Sequence, residues 1–227
     1  MIDPIKVPQN EEEEEALKEY LEEQRAEDIA EYLEEREDRD EQIALIGAME
    51  PEMAAAVLVE LYDEDLLTDV LLELPRGTAQ AIANEIPTDE AADLLENMSE
   101  NARTRILGLF EDEAADDISD LLEYDSDSAG GLMTTEFVVV PVFATAEKAI
   151  EIIRQYAPDA ETIYYVYVID GMNHLVGIMS LRELIVAGPE TFIEDIMHHS
   201  VTSVNVNDDQ EEVADIMTRY GFLALPV

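Results

Sequence analysis

The sequence predicts an α + α/β chain, in which an N-terminal α-solenoid of short helices precedes an α/β unit that begins to repeat. Three observations lead to this fold class. A short apolar pattern with helical spacing recurs about every 12 residues between positions 43 and 125. Runs rich in β-branched and aromatic residues, typical of strands, begin after position 130. The pattern of residues 132–156 then returns 64 residues later.

The chain is strongly acidic. Its 227 residues include 56 acidic and 12 basic side chains, which give a formal net charge of −44 at pH 7. A nucleic-acid-binding protein needs a basic surface to neutralise phosphates, so we expect no nucleic acid among the partners. Docking on anionic lipid is disfavoured for the same reason. The composition instead favours cations or basic surfaces as partners.

Cysteine and long apolar segments are both absent from the sequence. Without cysteine there are no disulfides, thiolate metal ligands or cysteine nucleophiles. No run of about 18 apolar residues is present to span a bilayer. The first residues, Met1–Pro4, lack the basic and apolar regions of a signal peptide. These features predict a cytosolic location.

Residues 1–42 are predicted to form an acidic helical segment, with one charged helix over 11–41. Its apolar positions are sparse. The consecutive glutamates Glu11–Glu15 repel one another, so we expect this end of the helix to fray. A solvated helical end explains these glutamates better than a dedicated metal site does.

Residues 43–125 are predicted to form a small α-solenoid of about six short helices. Each helix is too short to be stable alone, so the helices must stack and bury one continuous core. Pro51, Pro75 and Pro87 lie at the joins, where proline starts or ends a helix. Thr88 and Ser99 are candidate N-caps. The six apolar stretches are 55–61, 69–74, 81–86, 91–98, 105–109 and 117–122.

The composition changes after Tyr124. A turn-rich linker over 125–131 opens an α/β unit that we assign to residues 126–195. The hydrophobic patterns predict the order strand, helix, strand, strand, helix. The predicted strands are 137–142, 163–169 and 175–179, and the predicted helices are 145–156 and 181–187.

A second copy of this unit is assigned to residues 196–227. Thr145 at the start of the first helix corresponds to Asp209, 64 residues later, and Tyr156 at its end corresponds to Tyr220. The copy stops at the start of a strand, whereas the first copy continues with a turn, a strand and a helix. A module without those elements leaves a sheet edge uncovered. We therefore expect the chain to be a fragment of a longer protein.

The acidic surface has a physical consequence of its own. Facing carboxylates repel one another, with screening beyond about 8 Å at physiological salt. A hard divalent cation with oxygen ligands turns that repulsion into attraction. Asp89 and Asp93 lie four residues apart and therefore share a helix face. Taken singly, such a carboxylate is more often part of a solvated surface than a metal ligand.

The α/β part resembles a pair of cystathionine-β-synthase (CBS) domains, and two motifs resemble the MgtE family of magnesium channels and transporters. These motifs are Ser128–Thr134, SAGGLMT, and Ala157–Tyr165, APDAETIYY. In that family an acidic helical N domain precedes a CBS pair and a transmembrane domain, and the order here is the same. The resemblance implies an incomplete second CBS repeat and a transmembrane domain that is absent from this chain.

The resemblance implies a gating function rather than transport itself. In the family these domains lie on the cytoplasmic side of the cell membrane and dimerise through the CBS domains. They close the pore of the same full-length protein when Mg²⁺ is plentiful. A homodimer and bound Mg²⁺ are therefore expected, with the metal favouring a compact state.

The metal-site residues that the resemblance carries over are Asp89, Asp93, Asp209 and Glu211, with Glu212 as a neighbour. Two acidic positions of the family are lost, because Ala56 and Gly221 stand in their place. Further acidic ligands of the family would lie after Val227. The resemblance therefore implies Mg²⁺ sites that are altered or incomplete.

CBS pairs often bind adenine nucleotides through a Gly-h-h-Ser/Thr-x-x-Asp motif, whose hydroxyl and carboxylate hold phosphate and ribose. Here the motif reads GIMSLRE, so Ser180 is present and Glu183 replaces the aspartate. Arg182 would contact phosphate, Tyr165 would stack on the base, and Phe222 would line the cleft. The resemblance thus implies ATP or another adenine nucleotide as a regulatory ligand. The simpler alternative is an ordinary strand tyrosine and a serine helix cap.

Other functions are less well supported by the residues. His174, His198 and His199 do not recur at metal-ligand spacing and are predicted to be surface residues. An enzyme is disfavoured, because the carboxylates are spread over every face and no Ser/His/Asp set or Gly-rich phosphate loop is present. Two alternatives remain. A CBS-type nucleotide sensor without a transport role predicts a complete second repeat, and an acidic adaptor for a basic protein predicts indifference to Mg²⁺.

Overall fold

A computed structural model describes residues 5–8, 10–156 and 164–227. The chain divides into two compact units, Met1–Leu122 and Glu123–Val227. The first residue of the predicted strand 163–169, and most of the motif Ala157–Tyr165, lie outside the described residues.

The regular elements of the first unit, in its described part, are helices joined by short connections. Its helices are α1 (Glu11–Glu22), α2 (Ala26–Glu34), α3 (Arg39–Gly47), α4 (Pro51–Val59), α5 (Glu64–Glu73), α6 (Arg76–Ala83), α7 (Thr88–Glu96), α8 (Glu100–Leu107) and α9 (Asp112–Leu121). Helices α4 to α9 correspond one by one to the six predicted apolar stretches. The six-helix prediction is confirmed.

The single charged helix predicted over 11–41 is wrong. The chain leaves the helical conformation between α1 and α2, where Arg25 is extended with φ −90° and ψ 143°. A straight helix of that length would extend about 1.5 Å per residue and carry its sparse apolar side chains away from one small core. The break instead lets Leu21 and Leu33 both become buried, at 1% and 0% exposure. Tertiary packing therefore overrides the local helical preference.

The helix ends follow the predicted chemistry with one exception. Pro51 occupies the first turn of α4, and Pro75 and Pro87 precede α6 and α7 as their N-cap residues. Ser99 caps α8 as predicted, because its side chain accepts the N–H of Ala102 at 3.3 Å. Thr88 does not cap α7. It is the first helical residue and is buried, since proline already occupies the cap position.

The short helices of the first unit stack on one another. Helix α4 packs against α2 and α6, α3 packs against α5, and α7 packs against α9. In each of these pairs the two helices are two positions apart in chain order. Such packing is required in a solenoid built of helix pairs. The fully buried large side chains of this core include Ile29, Leu45, Ile46, Leu58, Leu66, Ile82, Leu95 and Ile118. The predicted stacking of short helices around buried apolar side chains is confirmed.

The second unit contains a small mixed sheet. Strand β1 (Val139–Pro141) pairs in parallel with β2 (Tyr165–Ile169), and β2 pairs antiparallel with β3 (Leu175–Ser180). The helices are α10 (Ala146–Tyr156), α11 (Leu181–Val186) and α12 (Gln210–Tyr220), with a 3₁₀ turn at Ile193–Asp195. The predicted order of elements is confirmed, although β1 is shorter than the predicted 137–142.

The core of the second unit lies between the sheet and its helices. Val140, Val166, Val168 and Met179 alternate along the strands and are buried, as period-2 patterning requires. Helices α10 and α11 cover them with Ala146, Ala149, Ile153 and Leu184. This core fixes β3 and the start of α11, where the candidate site lies.

The predicted repeat is visible in the helices. Helices α10 and α12 are both 11 residues long, and their starts at Ala146 and Gln210 lie 64 residues apart. Helix α10 buries three residues, whereas α12 buries none. Beyond α12 the described chain forms no strand, but the Val204 N–H donates to the Pro226 carbonyl at 3.0 Å.

Candidate functional site

A cleft of about 270 Å³ lies in the second unit. Its walls come from the start of β2, the junction of β3 with α11, and the chain segments that flank α12. The lining residues are Tyr165, Ile178, Met179, Ser180, Glu183, His198, Ser200, Thr202, Phe222, Ala224, Leu225 and Pro226.

The polar wall of the cleft is organised by the first turn of α11. The Ser180 oxygen Oγ accepts the Glu183 N–H at 3.2 Å, and Glu183 Oε2 accepts the Ser180 N–H at 2.9 Å. This reciprocal arrangement is a capping box. The Ser180 hydroxyl also donates to Glu183 Oε2 at 2.8 Å. Two of these bonds, from the Ser180 N–H and the Ser180 hydroxyl, hold the Glu183 carboxylate in one orientation.

His198 completes this network from a distant part of the chain. Its Nε2 lies 2.9 Å from Glu183 Oε1. The pKa of Glu183 is lowered to about 2, first by the backbone N–H of Ser180, then by the His198 imidazole and the Ser180 hydroxyl. Each of these donors stabilises the ionised carboxylate. Glu183 is therefore negatively charged in the neutral pH range.

The apolar wall follows a tight turn after α12. Gly221 adopts the left-handed conformation with φ +69° and ends the helix. The next residue, Phe222, donates its N–H to the Met217 carbonyl at 3.0 Å. The Phe222 ring stacks on that of Tyr220 with the centroids 5.5 Å apart. The turn thereby directs Phe222 to the cleft.

The structure brings together four of the five predicted nucleotide residues. Tyr165, Ser180, Glu183 and Phe222 all line the cleft. Arg182 is not among the lining residues. The cleft thus combines an aromatic wall for a base with hydroxyl and carboxylate groups for a sugar. The serine has a carboxylate as its close partner rather than a histidine nitrogen, so it is not arranged as an activated nucleophile.

Sequence reasoning missed His198, Ser200 and Thr202 as lining residues. The segment that carries them reaches the cleft because the main chain of His198 pairs with Ile178 of β3. This is an isolated bridge rather than a strand, so no β pattern reveals it. The only available signal was the internal repeat, which matches His198 to Thr134 at the entry to the first copy.

The predicted metal residues lie in both units. Asp89 and Asp93 occupy the first turns of α7. The pKa of Asp93 is raised, first by partial desolvation of its carboxyl and then by the negative charges of Asp89 and Glu96. Oxygen Oδ1 of Asp89 is shielded from solvent and has no hydrogen-bond partner among the described residues. This face of α7 therefore holds two neighbouring carboxylates that repel each other, and one oxygen of Asp89 lacks a donor.

The other three candidate ligands lie at the start of α12. Asp209 is its N-cap and accepts the Glu211 N–H at 2.8 Å, while Glu211 and Glu212 are exposed in the first turn. No group of three or more histidine, aspartate or glutamate side chains is positioned to hold a metal within the described part of the chain. The predicted metal ligands thus lie on two helices, Asp89 and Asp93 on α7 of the first unit and Asp209, Glu211 and Glu212 at the start of α12 in the second.

Comparison with known proteins identifies the family. The MgtE intracellular N domain matches residues 24–127, and the CBS domain matches residues 129–190 and 193–227. The crystal structure of the cytosolic domain of the Mg²⁺ channel MgtE in complex with ATP superposes with a TM-score of 0.86 at 36% sequence identity. The aligned region covers 94% of this chain and 86% of that one.

The chain belongs to the MgtE family.

Curated MgtE relatives are longer than this chain. The magnesium transporter MgtE of Enterococcus faecalis is 50% identical over 115 residues, which are 51% of this chain and 25% of that protein. MgtE of Thermus thermophilus is 46% identical over 123 residues, 54% of this chain and 27% of that protein. The aligned part thus spans about a quarter of each of these relatives, both of which are named magnesium transporters.

Two further features of this MgtE-family chain bear on its function. None of the helices in the described ranges is long and apolar enough to cross a membrane. Of the two non-acidic residues noted in the sequence, Ala56 is exposed on α4, and Gly221 provides the left-handed cap of α12. A carboxylate at Gly221 would have to adopt a strained backbone conformation.

Proposed function

We propose that this chain is the regulatory region of a magnesium transporter, in which divalent cations bind acidic side chains of both units and favour a compact state that closes the pore. The observation that carries the proposal is the pair Asp89 and Asp93. One oxygen of Asp89 is shielded without a donor, and the pKa of Asp93 is raised by partial desolvation of its carboxyl and by the negative charges of Asp89 and Glu96. A divalent cation would satisfy the oxygen and relieve the repulsion.

The net charge of −44 supports the same proposal. Two acidic units repel each other when they approach, and monovalent salt only screens that repulsion. Mg²⁺ keeps several of its waters, so carboxylates that do not form a tight cage still bind it through its hydration shell. The resulting affinity is low, which suits the sensing of an abundant ion. Asp209, Glu211 and Glu212 are the proposed ligands from the second unit.

The names of the relatives extend this proposal. They are magnesium transporters, and the solved relative is named as the cytosolic domain of a Mg²⁺ channel. These names support the proposal that this chain lies on the cytoplasmic side of the cell membrane, and we propose in addition that it forms a homodimer through its CBS domains. Its partner is the transmembrane domain of the same full-length protein, and the chain itself has no enzymatic role.

The test is small-angle X-ray scattering during a millimolar Mg²⁺ titration at constant ionic strength. The unmodified chain should show a saturable decrease in radius of gyration. The double variant Asp89→Ala, Asp93→Ala should need a clearly higher Mg²⁺ concentration. Asp112→Ala with Asp116→Ala is the matched control, because these exposed carboxylates also lie four residues apart on one helix, α9. Equal Mg²⁺ dependence of all three proteins would refute a role for Asp89 and Asp93.

A second candidate function is adenine-nucleotide sensing in the cleft. It is supported by the convergence of Tyr165, Ser180, Glu183 and Phe222, and by a solved relative that is named as an ATP complex. Nucleotide binding is compatible with Mg²⁺ sensing, and in a module without a transport role it would be the main function. Isothermal titration calorimetry with ATP tests it. Tyr165→Ala should weaken binding, whereas Tyr164→Ala should not, because Tyr164 is exposed and does not line the cleft.

A further inference from the structure

Few of the side chains that line the cleft carry a charge. Among its lining residues Glu183 is the one carboxylate, and His198 is the one side chain that carries a positive charge when protonated. The whole chain has a formal net charge of −44 at pH 7. A nucleotide phosphate that enters this cleft therefore meets a negative environment, in which a single imidazolium would be the opposing charge.

The position of His198 is fixed by its main chain. Its N–H donates to the Ile178 carbonyl at 2.8 Å, and its carbonyl accepts the Ile178 N–H at 3.0 Å. This pair of bonds fastens the residue to β3 at the edge of the cleft. The side chain itself is 64% exposed, so a ligand reaches it without moving the backbone.

The imidazole has two nitrogens with different partners. Nε2 bonds to Glu183 Oε1 at 2.9 Å. Because Glu183 is ionised, this nitrogen acts as the donor. In a neutral imidazole the other nitrogen, Nδ1, is then an acceptor and repels a phosphate oxygen. Only the protonated ring donates to Glu183 and to a phosphate at the same time.

We propose that His198 is a ligand-binding residue of this cleft that contacts the phosphate of a nucleotide, and that its protonation makes nucleotide binding tighter at lower pH. This inference rests on the proposed nucleotide-binding function and adds the residue that senses pH. Histidine changes charge between pH 5 and 8, the range in which such a response has physiological meaning.

No other titratable group near His198 supplies a pH-dependent positive charge to the cleft. Tyr165 is the remaining titratable residue of the lining, and tyrosine ordinarily keeps its proton below about pH 10. Along the chain the charged or titratable neighbours of the pair are Arg182, Glu194, Asp195 and His199, and none of them lines the cleft. The ion pairs of the described residues give His198 one charged partner, Glu183.

The experiment measures the dissociation constant of ATP between pH 5.5 and 8.5, with divalent cations removed by chelation. The unmodified chain should bind about tenfold more tightly at the acidic end than His198→Gln, and the two proteins should converge at pH 8.5. Glutamine keeps an N–H donor for Glu183 but never becomes charged. His198→Arg carries its charge at every pH and should bind at pH 8.5 about as tightly as the unmodified chain does at pH 5.5.

His199→Gln is the matched control, because it removes the neighbouring imidazole outside the cleft and should leave the pH profile unchanged. Adenosine, which lacks phosphate, should bind the unmodified chain and His198→Gln equally at every pH. If the unmodified chain and His198→Gln share one pH profile for ATP, the role of His198 is refuted while nucleotide binding stands. If neither ATP nor adenosine binds at any pH, the nucleotide function and this inference both fail.

Discussion

Ser180 and Glu183 cap each other at the start of α11, with the serine Oγ 3.2 Å from the glutamate nitrogen and the glutamate Oε2 2.9 Å from the serine nitrogen. The helix-cap function that the sequence suggested for Ser180 is thereby confirmed. The glutamate is long enough to reach back to the N-cap N–H, which explains how this chain holds a carboxylate in place of the aspartate of the family motif.

Glu183→Gln should make the stability of the second unit less dependent on acid pH. Because the pKa of Glu183 is lowered to about 2, compared with about 4.3 in an unfolded chain, its charge stabilises the fold above pH 4.3. That contribution is lost as the pH falls through the interval down to about 2. Urea unfolding should be measured at several pH values. Within this interval the unmodified chain should lose its greater stability relative to the Glu183→Gln variant.

The control for this prediction is Glu190→Gln, which neutralises an exposed glutamate that follows α11. The difference in stability between Glu190→Gln and the unmodified chain should stay small at every pH. A difference between the unmodified chain and Glu183→Gln that remains constant from pH 5 to pH 2 would contradict the assigned hydrogen bonds.

Asp93→Asn should stabilise the first unit when no divalent cation is present. The pKa of Asp93 is raised by desolvation and by Asp89 and Glu96, so its ionised form is disfavoured in the fold at neutral pH. Removing the charge should raise stability by less than about 1 kcal/mol, since the residue is exposed. Thermal unfolding in EDTA shows whether the substitution stabilises or destabilises the first unit. The gain in stability should shrink as the pH falls, because the carboxyl of the unmodified chain then takes up a proton.

Asp112→Asn is the comparison for this change, because it neutralises an exposed aspartate in the first turn of α9. There the carboxylate complements the helix N-terminus, so the substitution should leave stability unchanged or lower it slightly. Destabilisation by Asp93→Asn in EDTA would mean that the charge is favourable, contrary to the prediction.

Leu58→Ala should destabilise the solenoid by about 2–5 kcal/mol, since Leu58 is fully buried in α4 and its removal leaves a cavity. The expected readout is a lower urea midpoint for the first unit by circular dichroism at 222 nm. Tyr62→Ala, in the loop that follows, removes a larger side chain that is 91% exposed and should change stability by less than about 0.5 kcal/mol. Similar losses in the two variants would show that Leu58 does not belong to the cooperative core.

Gly221→Ala should cost about 1 kcal/mol, because φ is +69° at this position and an L side chain disfavours that conformation. The space around a Cβ is open, so the cost comes from the backbone alone. The substitution should also weaken ATP binding, since Gly221 directs Phe222 toward the cleft. Gly171→Ala is the matched control, with open space and no positive φ, and should be nearly neutral in both measurements.

Much of the fold follows from short-range patterns. Helices α4 to α9 each carry their apolar positions within about ten residues, and prolines such as Pro75 and Pro87 mark where they begin. The repeat likewise predicts the start of α12 at Gln210 from that of α10. Four cleft residues, among them Tyr165 and Phe222, followed from the resemblance to the CBS family rather than from any local pattern.

Contacts between distant residues account for what the sequence did not predict. The break near Arg25 is stabilised by the burial of both Leu21 and Leu33, and His198 reaches the cleft through bonds to Ile178, twenty positions earlier. The amino-acid sequence by itself determined helices α4 to α12, the strands and the 64-residue repeat, because their apolar periodicities act over a few neighbouring residues. Only the tertiary structure decided which side chains share the cleft, because burial and hydrogen bonding join residues whose separation along the chain carries no periodic signal.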